Sequence, residues 1–351
     1  MKLRIALVGL GTDWDQRYRP ALRALSDRFE IRAVYDQVGH KAAQVAREFE
    51  AVPSDGFRAV CRREDIDGVM VLSLQWTGIL PILAASEAGK SVYCGDPLEI
   101  SLEEIDQIQR HTEQSGIAFV SELPRRYAPA TLRLKELIAT RLGQPKLLFC
   151  HLRQHLDKPN RRKLPWTNHH LRNSSQVELM QLVDWCRYVV GKEPTSLVSV
   201  AHQGGLEAKK PQAGESLEDY RMISLDFSEP EDVQAGKFGS GPVAQISCGR
   251  YVPQEWVEAV SFNSPSALQV VCERGIAFVD LPARITWFDQ AGRHIESLDD
   301  ERPVGERLLL WYYRSVMSLV RLGKPAEDAR RAIALVQEAE RSHQSGERII
   351  F

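Results

Sequence analysis

Three stretches of this 351-residue chain combine residue types and spacings that could do chemistry. "GLGTDWD" (9–15) places Gly9 and Gly11 two apart directly after an apolar run, an arrangement that lets backbone amides approach a phosphate at a helix N-terminus. "CGDP" (94–97) puts Asp96 and Pro97 where a short buried strand should open onto a cleft. "WTNHHLRNSSQVELMQLVDW" (166–185) carries His169 and His170 in a polar loop, then Gln181 and Asp184 at i, i+3 on a helix beginning near Ser175. An aspartate can accept a hydroxyl proton if it lies within about 3 Å of that oxygen and has a suitable pKa. A glutamine cannot. The two histidines suit substrate contact, although histidines in polar loops are also commonly just solvated. Asp184 can point into a cleft or form part of a hydrogen-bonded interface.

The elements around these residues follow from hydrophobic patterning. "LRIALVGLG" reads as a parallel strand buried on both faces, "RPALRALSDR" as a crossover helix, and "FEIRAVYD" as a second strand ending at Asp36. Strand, glycine turn, helix, strand, acid is the order of a dinucleotide-binding unit, with Gly9, Gly11 and Thr12 at the pyrophosphate and Asp36 at the ribose. An acid at that place repels a 2'-phosphate, which favours NAD over NADP. Trp14 holds the position where the motif has its third glycine, so the turn is expected to be longer or displaced. A bare Gly-x-Gly also fits a strand–helix turn in an unrelated α/β protein, but the strand-end acid and the repeated βα pattern favour the nucleotide reading.

That repetition continues through "DIDGVMVLSL", the helix "GILPILAASEAGK", the strand "SVYC", a helix over "SLEEIDQIQRHTEQSG" with Ser101 and Glu104 at capping-box spacing, and the strand "IAFVSEL". An open, mostly parallel sheet is predicted, with Ser73, Leu74, Gln75, Asp96 and Pro97 at its carboxyl edge. After "PKLLFCHLRQ" and the helix "SQVELMQLVDWCRYVVG", seven short β-rich runs follow: "TSLVSVAHQ", "YRMISLDF", "VAQISCGRY", "EAVSFNS", "ALQVVCE", "GIAFVDL" and "RITWFD". They predict a largely antiparallel sheet with one face on helices and the other solvated or against a second subunit. The fold class is therefore α/β followed by α+β. Residues 1–124 form a Rossmann domain, 125–322 a substrate and oligomerisation domain, and 323–351 a helix returning toward the first.

Composition narrows the partners. A formal net charge of -2 with interspersed signs gives no general attraction to nucleic acid or anionic membrane, leaving a small molecule as the expected ligand. The loop cluster Lys158, Arg161, Arg162 and Lys163 has no interleaved aromatics, and "QGGLEAKKPQAGESLED" (203–219) reads as an exposed loop without chemistry. The six cysteines lack zinc-site or Cys-x-x-Cys spacing and read as buried, reduced thiols. No metal site is expected. No run approaches the roughly 20 apolar residues of a membrane span, so a cytoplasmic location is expected.

The chain resembles the glucose-fructose oxidoreductase, inositol dehydrogenase and rhizopine-catabolism (Gfo/Idh/MocA) family. The likeness rests on residues 3–36, on "DIDGVMVLSLQWTGILPILAASEAGKSVYC", on "ELPRRYAP" against the family's Arg-Arg-Phe-x-Pro, and on "DARRAIALVQEAERSHQSGERI" as its closing helix. It implies an NAD(P)-dependent oxidoreductase acting on a sugar, polyol or related hydroxy compound, forming a homodimer or homotetramer through the second sheet. It also implies that Gly95-Asp96-Pro97 stands where the family has Glu-Lys-Pro, whose lysine contacts cofactor and substrate. Leu74-Gln75-Trp76-Thr77-Gly78 stands for Pro-Asn-x-x-His. Gln181 stands for the proton-transferring histidine of Asp-x-Gly-x-His-x-x-Asp, of which only Asp184 remains. Catalysis would then fall to Asp96, Gln181 and Asp184, with Asp96 weakened as a base beside a positive nicotinamide. Arg126 would meet the cofactor or an anionic substrate, or form a structural ion pair. The alternative is a member that has lost hydride transfer and binds a nucleotide or sugar as a sensor or structural subunit.

Overall fold

The computed structural model describes residues 2–155, 174–203, 218–318 and 325–351. His169, His170, the basic cluster at 158–163 and most of the 203–219 loop lie outside these residues. Two compact units are present, and among the described residues the first comprises 2–127, 302–318 and 325–333.

The first unit is a six-stranded parallel sheet of β1 (Leu3–Val8), β2 (Phe29–Tyr35), β3 (Val52–Pro53), β4 (Gly68–Val71), β5 (Ser91–Cys94) and β6 (Phe119–Ser121). Their spatial order is 3-2-1-4-5-6, so the direction of winding reverses between β1 and β4. That reversal opens the crevice in which doubly wound sheets bind ligands. All four residues of β4 are buried, as its unbroken apolar run requires. The helix Leu102–Ser115 begins with a capping box in which Ser101 and Glu104 each accept from the other's backbone amide, and stops at Gly116 in the left-handed region.

Trp14 at the third-glycine position is accommodated by a change in helix type. A π-helical turn, Trp14–Tyr18, precedes the helix Arg19–Ala24, and the indole is buried edge-on to Phe49 at 6.0 Å. The helix Val304–Met317 also belongs here. It adds Leu308, Leu309 and Tyr312 to the core, and the Tyr312 hydroxyl donates to the Ser91 carbonyl (3.1 Å), over a spot that any side chain at Gly68 would fill. The chain leaves this unit after Tyr127, and the closing helix Pro325–Ser345 starts in the first unit and ends in the second.

The second unit is a nine-stranded sheet of β7 (Pro145–His155), β8 (Ser196–Gln203), β9 (Glu218–Asp226), β10 (Val243–Val252), β11 (Leu268–Cys272), β12 (Gly275–Asp280), β13 (Arg284–Asp289), β14 (Gly292–Ser297) and β15 (Ile349–Ile350). All pairings are antiparallel except β7 with β10. One face is covered by the helices Pro129–Leu137 and Ser174–Val190. Leu147, Val200, Tyr251, Phe288 and Ile295 remain exposed.

The stretch "EAVSFNS" does not form the strand its composition predicts. Residues 256–264 fold back in successive turns, with Ala259 N bonded to Trp256 O (3.0 Å) and Phe262 N to Glu258 O (3.0 Å), while Asn263 takes a positive φ of 45°. Proline on each side and the Asn-Ser pair favour turns over a ladder, and Val257 and Phe262 stay exposed. β14 runs the other way. Its sequence, "GRHIES", is too polar to announce a strand, and it is ordered by pairing along β13. All six cysteines are buried, and none is joined in a disulfide.

Candidate functional site

Three loops of the first unit meet on one peptide group. Gly9 and Gly11 follow β1 with φ of +65° and +67°, and a Cβ on Gly11 would lie 2.7 Å from the Leu72 carbonyl oxygen at the end of β4. A Cβ on Gly9 would lie 2.9 Å from the Ser73 carbonyl. From the other side, a Cβ on Gly95 at the end of β5 would come within 3.2 Å of the same Leu72 oxygen. Only residues without side chains let these strand ends close up this tightly. Thr12 is exposed on the turn, Ser73 accepts from Gln75 N (3.3 Å), Gln75 is exposed, and Leu74 and Pro97 are buried.

Asp36 is fixed by backbone. One carboxylate oxygen accepts from Leu10 N at 2.9 Å and the other from Val38 N at 2.8 Å. The glycine turn is thereby tied to the end of β2, and each oxygen keeps a lone pair for a further donor. Positive-φ glycines over a crevice with an anchored acid at its rim fit a dinucleotide. In such an arrangement a turn of this kind can offer amides to a pyrophosphate, and an acid at the strand end can accept from ribose hydroxyls.

Asp96 follows β5 through Gly95 and opens a short 3-10 turn, Pro97–Glu99. It is partly buried, and an acidic neighbourhood surrounds it. Burial, then the charges of Glu99, Glu122 and Asp13, push its carboxyl up to about 8, with Arg17 offsetting part of the rise. The sequence expectation of a weakened base concerned a positive ring alongside. The protein's own surroundings act in the opposite direction.

Behind Asp96 is a cluster that sequence reasoning did not single out. Glu122, the residue after β6, is almost fully buried and its amide donates to the Cys94 carbonyl (2.9 Å). Its carboxylate accepts from Arg17 on one oxygen, and from the Tyr18 hydroxyl and the Tyr93 hydroxyl (2.6 Å) on the other. Arg17 also pairs with Asp13 at 2.8 Å. Tyr18 and Tyr93 meet edge-on at 6.2 Å, and burial together with the Glu122 charge pushes both phenols far up, so they remain donors. Burial pushes the Glu122 carboxyl up while Arg17 and the two hydroxyls hold it down. Three donors converging on two oxygens favour the ionised form. The available signal was the acid immediately after the buried strand "IAFVS", where a charge must find partners.

The remaining site residues have strong local partners. Arg126 donates to Asp328 at 2.7 Å in the first unit, the structural ion pair that its sequence context allowed. In the second unit Asp184 is buried and accepts from Arg187 (3.3 Å), which also forks onto Glu193 at 2.8 and 2.7 Å. Gln181 is partly buried on the same helix. No helix among the described residues is long and apolar enough to cross a membrane.

The crevice and glycine turn define a dinucleotide-binding domain joined to an open-sheet α+β domain. Residues 3–122 match the model of the GFO_IDH_MocA family, described as an oxidoreductase family with an NAD-binding Rossmann fold. The match lies within the first unit, and the likeness to that family is shown for this part of the chain. Among its relatives, inositol 2-dehydrogenase 3 of Saccharopolyspora erythraea is 32% identical over 152 residues, 43% of this chain and 45% of that protein. The 2,7-anhydro-N-acetylneuraminate hydratase of Mediterraneibacter gnavus is 22% identical over 192 residues, 53% of this chain and 49% of the relative. The chain thus spans about half the length of these curated relatives. Its whole fold is similar to that of aldose-aldose oxidoreductase from Caulobacter crescentus, with a TM-score of 0.80, 15% identity and 100% of both chains covered.

Proposed function

We propose that the protein is an NAD-dependent dehydrogenase acting on a CH–OH group of a polyol or sugar, with Asp96 as the group that takes the hydroxyl proton. The observation that carries this reading is Asp96 itself: a carboxyl at the carboxyl edge of β5, beside the glycine-lined crevice, held near the neutral range. When bound there, NAD supplies the hydride acceptor. With that acceptor in place, Asp96 would take the hydroxyl proton as the carbinol is oxidised to a carbonyl. A carboxyl titrating near neutrality can take that proton in oxidation and return it in reduction. Gly9, Gly11 and Thr12 would hold the pyrophosphate and Asp36 the adenosine ribose, favouring NAD over NADP, with Ser73, Leu74, Gln75 and Pro97 along the crevice.

Asp184 and Arg126, each in an ion pair, serve as structural groups in this reading, and Gln181 as a hydrogen-bonding contact to substrate. His169 and His170 stay candidates for substrate contact. The relatives' names support the substrate class, inositol being a polyol. The exposed apolar residues of the second sheet support a homodimer or homotetramer, and six free buried thiols support a cytoplasmic location. Aspartate and glutamine at the positions of the family's lysine and histidine favour a second reading, a nucleotide- or sugar-binding member without hydride transfer.

Tryptophan fluorescence with NADH, followed by a polyol and sugar panel read at the NADH absorbance, tests both. Cofactor binding with turnover that Asp96→Ala abolishes is expected. Binding without turnover selects the second reading, and turnover unchanged by Asp96→Ala removes Asp96 from the chemistry.

A further inference from the structure

We propose that Glu122, clamped by Arg17, Tyr18 and Tyr93 behind Gly95, is a positioning residue for Asp96: it braces the strand end that carries Asp96 and sets a negative charge behind that carboxyl. This rests on the reading of Asp96 as the proton-accepting group, and it adds a residue that neither the motif nor the comparisons assign.

The argument is geometric first. Glu122 and Asp96 stand just past the ends of adjacent paired strands, β6 and β5, tied by the Glu122 N to Cys94 O bond of 2.9 Å. The Tyr18 hydroxyl that donates to Glu122 occupies the space beside Gly95, 2.8 Å from where a Cβ would be, so the cluster abuts the residue that carries Asp96. Three donors converge on the Glu122 oxygens, which fixes the carboxyl in position, and the Arg17 pair and the two hydroxyls favour its ionised form against the burial that raises it. The other groups facing Asp96 are Glu99 on the 3-10 turn, Asp13 and Arg17 from the loop and π-helical turn after β1, and Cys94 and Tyr18, both neutral because burial raises them. Arg17 is the sole cation of this set, and it is engaged by Glu122 and Asp13. Neighbouring like charges raise each other's affinity for protons, and the coupling is mutual.

The test reads protonation directly in the protein without added ligand. Side-chain carboxyl carbons are followed by 13C NMR across pH 4–10, with the Asp96 signal identified by its loss in Asp96→Asn. In the wild type Asp96 should titrate near 8. In Glu122→Gln its midpoint should fall by about one pH unit or more, and in Glu122→Asp it should stay nearer the wild-type value. Should Glu122→Gln fail to fold, the Glu122 signal in the wild type replaces it: it should stay at its ionised position throughout the Asp96 titration, and a Glu122 that is protonated there overturns the inference. The pH dependence of kcat/KM should move with the Asp96 midpoint. An Asp96 midpoint within the ordinary carboxylate range, or one that neither variant shifts, overturns the inference. A shifted midpoint in a protein whose turnover survives Asp96→Ala keeps the coupling and overturns only the catalytic reading of Asp96.

Discussion

Replacing Gly95 by alanine asks whether the contact between Tyr18 and the β5 turn is as tight as the structure shows. The new Cβ would lie 2.8 Å from the Tyr18 hydroxyl and 3.2 Å from both the Cα and the carbonyl oxygen of Leu72. The Leu72 backbone is held in a buried sheet, so Tyr18 has to give way. Overpacking of this kind costs about 1–3 kcal/mol. Displacing the hydroxyl also breaks a buried hydrogen bond to a charged acceptor, for about 1.5–3 kcal/mol more. A loss of about 2.5–6 kcal/mol is therefore expected, read by urea unfolding of the first unit through its tryptophan signal. The decisive comparison is a double-mutant cycle with Tyr18→Phe. Without the hydroxyl, the closest contact disappears and so does the bond that could be lost, so Gly95→Ala should cost at least about 1 kcal/mol less in that background. Strictly additive effects would refute the interlock, and would leave only the Leu72 contacts to explain any cost.

Three further outcomes are expected. Asp96 holds its proton up to about pH 8 in the folded chain, whereas an unfolded aspartate releases it near pH 4. Between these values the native state binds more protons, so this group lowers stability as pH rises, by up to about 1.4 kcal/mol per pH unit. Subtracting the denaturation curves of Asp96→Asn should reveal that slope, and parallel curves would contradict it. Asp36→Ala removes the anchor of Leu10 and Val38 together with the ribose acceptor, and should weaken NADH binding by roughly tenfold, about 1.4 kcal/mol, in a fluorescence titration. Arg187→Met leaves Asp184 buried without its cation and should destabilise the second unit by about 3–5 kcal/mol in thermal unfolding. NADH affinity should be unchanged by it, and a change would show that the pair is more than structural.

Features whose partners are close along the chain could be read from the sequence. The Ser101–Glu104 capping box and the glycine pair after the first strand are local patterns, and the structure shows a capped helix and a positive-φ glycine turn there. "EAVSFNS" misled because β-branched and aromatic content says nothing about whether a neighbouring strand is available to pair. The Glu122 cluster was out of reach for a different reason. Tyr18 and Glu122 are 104 residues apart, and only the 3-2-1-4-5-6 winding brings the turn after β1 to the end of β6. Sequence could place Asp96 at an edge. It could not supply the burial and the neighbouring acids that together raise that carboxyl.

The interlock at Gly95 also bears on how such a site is reached and left by mutation. Tyr18 can extend to Glu122 only over a residue without a side chain, and any larger residue at 95 needs Tyr18 removed. The order of substitutions is therefore constrained. A single reversion of Gly95 to glutamate, the residue the family resemblance implies there, meets the tyrosine before it can restore anything, and loss of the tyrosine alone strips one donor from a buried carboxylate. Three positions, one on a helical turn and two at strand ends, are thus coupled sterically and by hydrogen bonding, so single substitutions among them are expected to cost stability.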